Sequence, residues 1–152
     1  MTIEIVEFEP RHAEAFRTLN EAWISKHFAI EAKDREVLSD PQGKIIDQGG
    51  RVFMAITDGA AVGCAALIRM ADGGYEVAKM TVSEDLRGSG LGRMLMQRCI
   101  DVGAELGAPR LYLETNSSLG PALGLYRAMG FKDLAPTDTP YARADVFMER
   151  RY

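Results

Sequence analysis

Arg87-Gly88-Ser89-Gly90-Leu91-Gly92 is the stretch on which the reading of this chain turns. It stands between an alternating run, Tyr75 to Val82, and a long run at helical spacing, Leu91 to Leu106. Glycine lets the backbone turn with positive φ and approach a ligand closely, because no Cβ intervenes. A helix that begins just after such a loop directs its free N–H groups and its positive dipole end at whatever sits there. That is an anion site, most often for phosphate, and Arg87 adds a permanently charged planar donor. Two familiar phosphate loops are excluded. A P-loop requires Lys-Ser or Lys-Thr after its last glycine, and here Arg93-Met94 follows Gly92. The dinucleotide fingerprint G-x-G-x-x-G is absent, since Gly88, Gly90 and Gly92 are spaced G-x-G-x-G. Taken alone, such a loop can also be a plain strand-to-helix turn with no ligand.

Working outward, Arg51 to Thr57, Ala61 to Met70 and Tyr75 to Val82 read as three strands joined by the short turns Asp58-Gly59 and Asp72-Gly73-Gly74, an antiparallel meander. From Leu91 the period changes. Leu91, Leu95, Cys99, Val102 and Leu106 mark one helix face, and Gly107 is positioned to end it. Leu111 to Glu114 then reads as a buried strand parallel to Tyr75–Val82, the helix forming the crossover. Upstream, Thr2 to Phe8 alternates as a first strand, and Phe16, Leu19 and Trp23 give the stripe of an amphipathic helix over Arg11 to Lys26. A short helix from Lys33 to Leu38 and a turn or helix after Pro41 follow. Downstream, Pro121 opens a helix to Met129, Phe131 begins a strand, and Ala142 to Glu149 is a last strand. The expected fold is α/β (α+β): one domain over 1–152 with a mixed, mostly antiparallel central sheet and helices on both faces. A small doubly wound domain fits the later element order, but not the early meander.

The glycine loop fits R/Q-x-x-G-x-G/A, the acetyl-CoA loop of the GNAT superfamily of N-acetyltransferases, with Arg87, Gly90 and Gly92 at its fixed places. A second match follows in the same order. Asn116 and then Leu125-Tyr126-Arg127-Ala128-Met129-Gly130-Phe131 are similar to that family's N…LYxxxGF segment. The chain therefore resembles a GNAT-like acyl-CoA N-acyltransferase.

The resemblance implies acetyl-CoA as cosubstrate. Its pyrophosphate would sit on Arg87, Gly88, Ser89, Gly90, Leu91 and Gly92. Its pantetheine arm would run beside the backbone of Met80, Thr81 and Val82, with Asn116 as a further contact. Tyr126 falls at the position of the family's general acid. A tyrosine is protonated at neutral pH and can donate to a departing thiolate. Glu76 matches a glutamate that several members use as base, directly or through water. By strict alternation Glu76, Ala78 and Met80 share one strand face, and Lys79 lies on the other as a structural residue. Plainer uses exist for each: Tyr126 as a packed ring, Asn116 as a helix cap or turn, Glu76 as an exposed strand-end acid.

The acceptor is where the sequence is thinnest. Phe28 and Glu31 border the acceptor pocket by resemblance, although a core aromatic and a solvated loop acid are the simpler uses. Tyr141 and Arg143 point to one side at the mouth of the final strand, if extension begins by Tyr141. A free Arg143 guanidinium there would bind a carboxylate, favouring an amino-acid-like acceptor; a solvated edge arginine is the alternative. The expected reaction is acetyl transfer to the primary amine of a small molecule by direct attack. A protein or peptide amine, or a non-catalytic CoA-binding module, is the alternative.

Composition bounds the rest. Hydrophobic residues make up 47% and charged residues 26% of 152, and the formal net charge is −4, which offers no basic footprint for nucleic acid. No apolar run reaches membrane-span length. Glu4, Glu7 and Glu9 interrupt any signal-like segment, so a cytoplasmic protein is expected. Cys64 and Cys99 read as buried thiols. With only His12 and His27 besides, no metal site is expected. An exposed strand edge would favour a homodimer.

Overall fold

Short polar turns between alternating apolar runs build the first half of the protein as a meander. The computed structural model describes residues 2–152. β1 (Glu4–Glu7) leads through a 3₁₀ turn at Pro10–His12 into α1 (Ala13–His27), and α2 (Ala32–Ser39) and a π-helical turn at Gln42–Ile46 follow. β2 (Arg51–Thr57), β3 (Ala60–Arg69) and β4 (Tyr75–Val82) come next, then a 3₁₀ turn, α3 (Leu91–Glu105) and β5 (Arg110–Thr115). α4 (Gly120–Ala128), β6 (Lys132–Leu134) and β7 (Val146–Arg151) complete the order. Asp58 and Gly59 both take positive φ, as the two-residue hairpin between β2 and β3 requires.

The seven strands form one sheet in the order β1-β2-β3-β4-β5-β7-β6, antiparallel except between β4 and β5. Each face carries its own core. Leu91, Leu95, Met96 and Cys99 of α3 pack with Leu123 of α4 on Phe53, Leu67, Val77 and Leu111. Phe16 and Ile24 of α1 pack with Val37 and Leu38 of α2 on Val52, Met54, Cys64 and Ala66 of the opposite face. The expected mixed α/β fold with helices on both faces is the observed one. Both cysteines are buried free thiols. No helix among the described residues is long and apolar enough to cross a membrane.

Two irregularities in β4 matter more than the regular ladder. First, β4 and β5 pair only at Tyr75–Leu111 and Glu76–Tyr112, after which the strands part. Over 77–82 the β5-facing edge of β4 has no strand partner. Second, β4 carries a bulge. Cys64 is in register with Thr81 and Ala66 with Ala78, so three steps of β4 oppose two of β3. Lys79 takes φ 53, the left-handed region that a lysine rarely enters.

The bulge overturns the strict alternation expected from sequence. Glu76 and Ala78 face α1 and α2, but so does Lys79, whereas Met80 turns to the α3 side with Val77. The carbonyl released at the bulge accepts the Cys64 thiol at 3.4 Å, and Cys64 itself accepts from Asn20 of α1 at 3.3 Å. Burial pushes the Cys64 thiol up to about 12, so it acts as a donor and not as a thiolate.

Lys79 is held by a buried ionic cluster. Its ammonium donates to Asp34 Oδ1 at 2.6 Å and to the Tyr141 hydroxyl at 3.1 Å. Arg143 donates to both oxygens of Asp34, at 2.8 and 2.7 Å, and the Glu31 amide donates to Oδ2 at 2.8 Å. Asp34 is fully buried. Burial works against its charge, but Arg143 and Lys79 together hold its carboxyl well below the usual range. Its contribution to stability is therefore present above the unfolded value near pH 4 and is lost as pH falls toward the depressed folded value. Asp34→Ala leaves the buried Lys79 ammonium without its carboxylate and Arg143 with Glu31 alone, and should cost about 3–5 kcal/mol in urea denaturation at pH 7. The gap between wild type and variant should narrow on acidification.

Candidate active site

Where β4 and β5 diverge, a cavity of about 400 Å³ runs through the sheet. On the α1/α2 side its walls are Trp23, Ile24, Phe28, Val37 and Ile68, with Lys33 and Lys44 beside them. On the α3/α4 side they are Arg87, Gly92, Leu125 and Tyr126. Residues 76–82 of β4 and 113–116 after the parting of β5 form the passage between.

The glycine loop forms the α3 end. Gly88 (φ 77) and Gly90 (φ 89) hold the left-handed conformations that side chains disfavour. Gly90 is the N-cap of α3, and no side chain caps that end. The first-turn N–H groups of Leu91 to Arg93 are thus free to meet an anion, with Arg87 beside them. Gly92 borders the cavity without needing an unusual φ: a Cβ there would touch only Leu125, at 3.7 Å. Met80, Thr81 and Val82 lie on the unpartnered edge of β4, which can pair with an extended ligand as another strand would.

Glu76 and Tyr126 border the cavity from opposite faces of the sheet. Burial and then the neighbouring charge of Glu114 push the Glu76 carboxyl up to about 7, against the pull of Lys79 and Lys33. Burial pushes Tyr126 up to about 12, so its hydroxyl stays protonated. That hydroxyl has no hydrogen-bond partner among the described residues, and the ring packs against Phe131.

Several expectations need correction. Arg143 is not on the final strand, which begins at Val146; Tyr141 to Arg143 lie in the turn before it. Nor is Arg143 either free or solvated. Besides Asp34 it bonds Glu31 at 3.3 Å and stacks on the Tyr141 ring at 4.5 Å, so its guanidinium is already matched by carboxylates. Glu31 caps α2 and also accepts the Ala142 amide at 2.9 Å, tying α2 to this turn. Asn116 uses its amide internally, donating to the Arg143 carbonyl at 2.7 Å and accepting from Ser118 N at 2.9 Å. Phe28, Tyr141, Arg143 and Asn116 all border the cavity, and Glu31 does not.

Sequence reasoning passed over Asp34 and Glu114, and took Lys79 as structural but on the wrong face of β4. Leu111 and Leu113 face the α3 core, so Tyr112 and Glu114 share the face of Glu76, a signal the alternation of β5 already carried. Glu114 accepts the hydroxyls of Tyr112, at 2.9 Å, and Thr139. Both hydrogen bonds go to Glu114, and the Glu76 carboxyl has none among the described residues. Carbon-detected NMR of labelled glutamates should find Glu76 titrating near pH 7 and, in Glu114→Gln, at lower pH, because the repelling charge is gone. An unchanged midpoint would remove Glu114 as a cause.

The comparisons with known proteins agree with this geometry. The model of the Acetyltransferase (GNAT) family matches residues 10–131. An IAA acetyltransferase of Azospirillum brasilense is 37% identical over 103 residues, covering 66% of this chain and 67% of that protein. A streptothricin acetyltransferase of Streptomyces lavendulae is 37% identical over 87 residues; the match covers 56% of this chain and less than half, 46%, of that protein. Among solved structures, a GNAT-family acetyltransferase from Staphylococcus aureus Mu50 superposes with a TM-score of 0.90 at 22% identity, covering 99% of both chains. With the family match spanning most of the sequence, the chain belongs to the GNAT acetyltransferase family and is an acetyl-CoA-dependent N-acetyltransferase.

Proposed function

We propose that this enzyme moves the acetyl group of acetyl-CoA to the primary amine of a small molecule by direct attack in a ternary complex. The observation that carries the reading is the cavity through the parted strands, with Glu76 on one side and Tyr126 on the other. The pyrophosphate rests on the first turn of α3 and Arg87, and the pantetheine arm pairs with the β4 edge at Met80 to Val82. An acceptor amine entering from the α1/α2 side meets Glu76. A carboxyl that titrates near 7 is matched to removing an amine proton at neutral pH. The amine nitrogen then attacks the thioester carbon, and an N–H of β4 near Met80 polarises the carbonyl oxygen. When the C–S bond breaks, its electron pair goes to sulfur. Tyr126 gives its proton to that thiolate, and the second proton of the nitrogen, lost as the amide forms, restores the tyrosine hydroxyl through solvent.

A small acceptor is favoured over a protein chain by the tie across the acceptor side. Glu31 and Asp34 of the α2 region bind Ala142 and Arg143 of the turn before β7, joining these two elements beside the cavity and narrowing access for a long chain. Two of the relatives, an IAA and a streptothricin acetyltransferase by name, are in keeping with that choice. A pure CoA binder would need neither the raised Glu76 nor Tyr126.

Tyr126→Phe keeps the ring and removes the hydroxyl. Its kcat should fall about 10²-fold or more while acetyl-CoA still binds; a wild-type kcat with chemistry rate-limiting would sink the assignment. Gly92→Val keeps an ordinary helical backbone and adds bulk at the pyrophosphate position. Calorimetry should find acetyl-CoA affinity reduced about tenfold or more, with the thermal unfolding midpoint near that of the wild type.

A further inference from the structure

The acceptor side of the cavity is polarised, and its charges suggest the shape of the acceptor. At the sheet stand two carboxyl groups, Glu76 and Glu114, and neither has a direct ion pair among the described residues. Lys79 and Arg143 lie close by, but their charges are taken by Asp34 and Glu31. On the α2 side, Lys33 and the π-turn residue Lys44 line the same cavity with about half of each side chain exposed. Both reach a single partner, Glu36, at 3.1 and 3.3 Å. That leaves two ammonium groups against one carboxylate, a net single positive charge. Exposed pairs of this kind are weak and exchange readily for a better anion. The apolar side chains of Trp23, Phe28, Val37 and Ile68 line the same cavity.

We infer that the acceptor joins its primary amine, through an extended apolar body, to a carboxylate bound by Lys33 and Lys44. The inference rests on the small-amine reading above. One net positive charge suits a monoanionic carboxylate better than a dianionic phosphate. The same lysines disfavour a polyamine, because a second ammonium at that end would meet charge of its own sign. They also do for the acceptor what sequence alone assigned to Arg143. Lys33 is near enough for its charge to act on Glu76, so the two ends belong to one electrostatic site. Lys33 and Lys44 are then specificity-determining residues, on the face of the sheet opposite the pyrophosphate loop.

The test uses a series of ω-amino acids of increasing chain length, each beside its primary amide and the diamine of equal length. Calorimetric titration into the CoA complex reads binding, and thiol release from acetyl-CoA reads turnover. At the best chain length the amino acid should bind, and be turned over by kcat/KM, about fivefold or more better than its amide. The diamine should be the poorest of the three. The double variant Lys33→Gln/Lys44→Gln should bring the ratio of amino acid to amide close to unity. Both sites are half-exposed and outside the cores, so the variant should remain folded. Turnover of amines with no preference for the carboxylate, a preference for the diamine, or a preference that survives in the double variant overturns the inference and leaves the acetyltransfer reading intact. Carboxylate-dependent binding that never leads to turnover supports the charge site and counts against the small-amine reading. Failure of all three compound types to bind at every length overturns the inference.

Discussion

The contact between the Lys79 ammonium and the buried Asp34 carboxylate, 2.6 Å long, is what the rest of the site depends on. A lysine at positive φ is strained, and such a conformation persists only where its surroundings fix it. Here Asp34 draws the side chain toward α2, Tyr141 receives it, and the freed carbonyl meets Cys64. With the bulge in place, β4 turns Met80 toward α3 while keeping Glu76 toward α1, just as it leaves β5. One local distortion thus stands where the sheet parts and turns Glu76 and Met80 to opposite faces of it.

The charges divide the cavity by task. The α3 end is positive through a helix N-terminus and Arg87, without an acidic residue in the first helical turn. The centre holds two carboxylates of unequal freedom. Glu114 is occupied by two hydroxyl donors, and Glu76 is left to burial and repulsion. Separating two similar groups by their surroundings is how one of them acquires a working pKa near neutrality. The Asp34 cluster contributes fixed structure to this centre and little net charge, because Asp34 and Glu31 balance Lys79 and Arg143.

The corrections share one cause. Arg143, Glu31 and Asn116 were chosen for what their side chains can bind, and each does bind, but to the protein. A guanidinium, a carboxylate and an amide are suited to a ligand and to a loop alike. Which one they serve depends on neighbours far away in the chain: Asp34 and Arg143 are 109 residues apart.

By itself the sequence determined the elements and the backbone conformation of the glycine loop. Alternation and helical spacing set out the meander, the crossover helix and the two cores. The glycine spacing with Arg87 defined the anion loop, since local backbone conformation follows from local residue type. The Leu-Tyr-x-x-x-Gly-Phe segment singled out Tyr126 by resemblance. Only the tertiary structure decided the arrangement on the α1/α2 side of the cavity. The bulge at Lys79 has no glycine to announce it, because it is held by a side chain of α2 and not by backbone preference. The early parting of β4 from β5, the commitment of Arg143 to Asp34, and the company Glu114 keeps with Glu76 are all products of long-range packing. No local pattern encodes them, because each is stabilised by groups that meet only when the sheet and its helices have assembled.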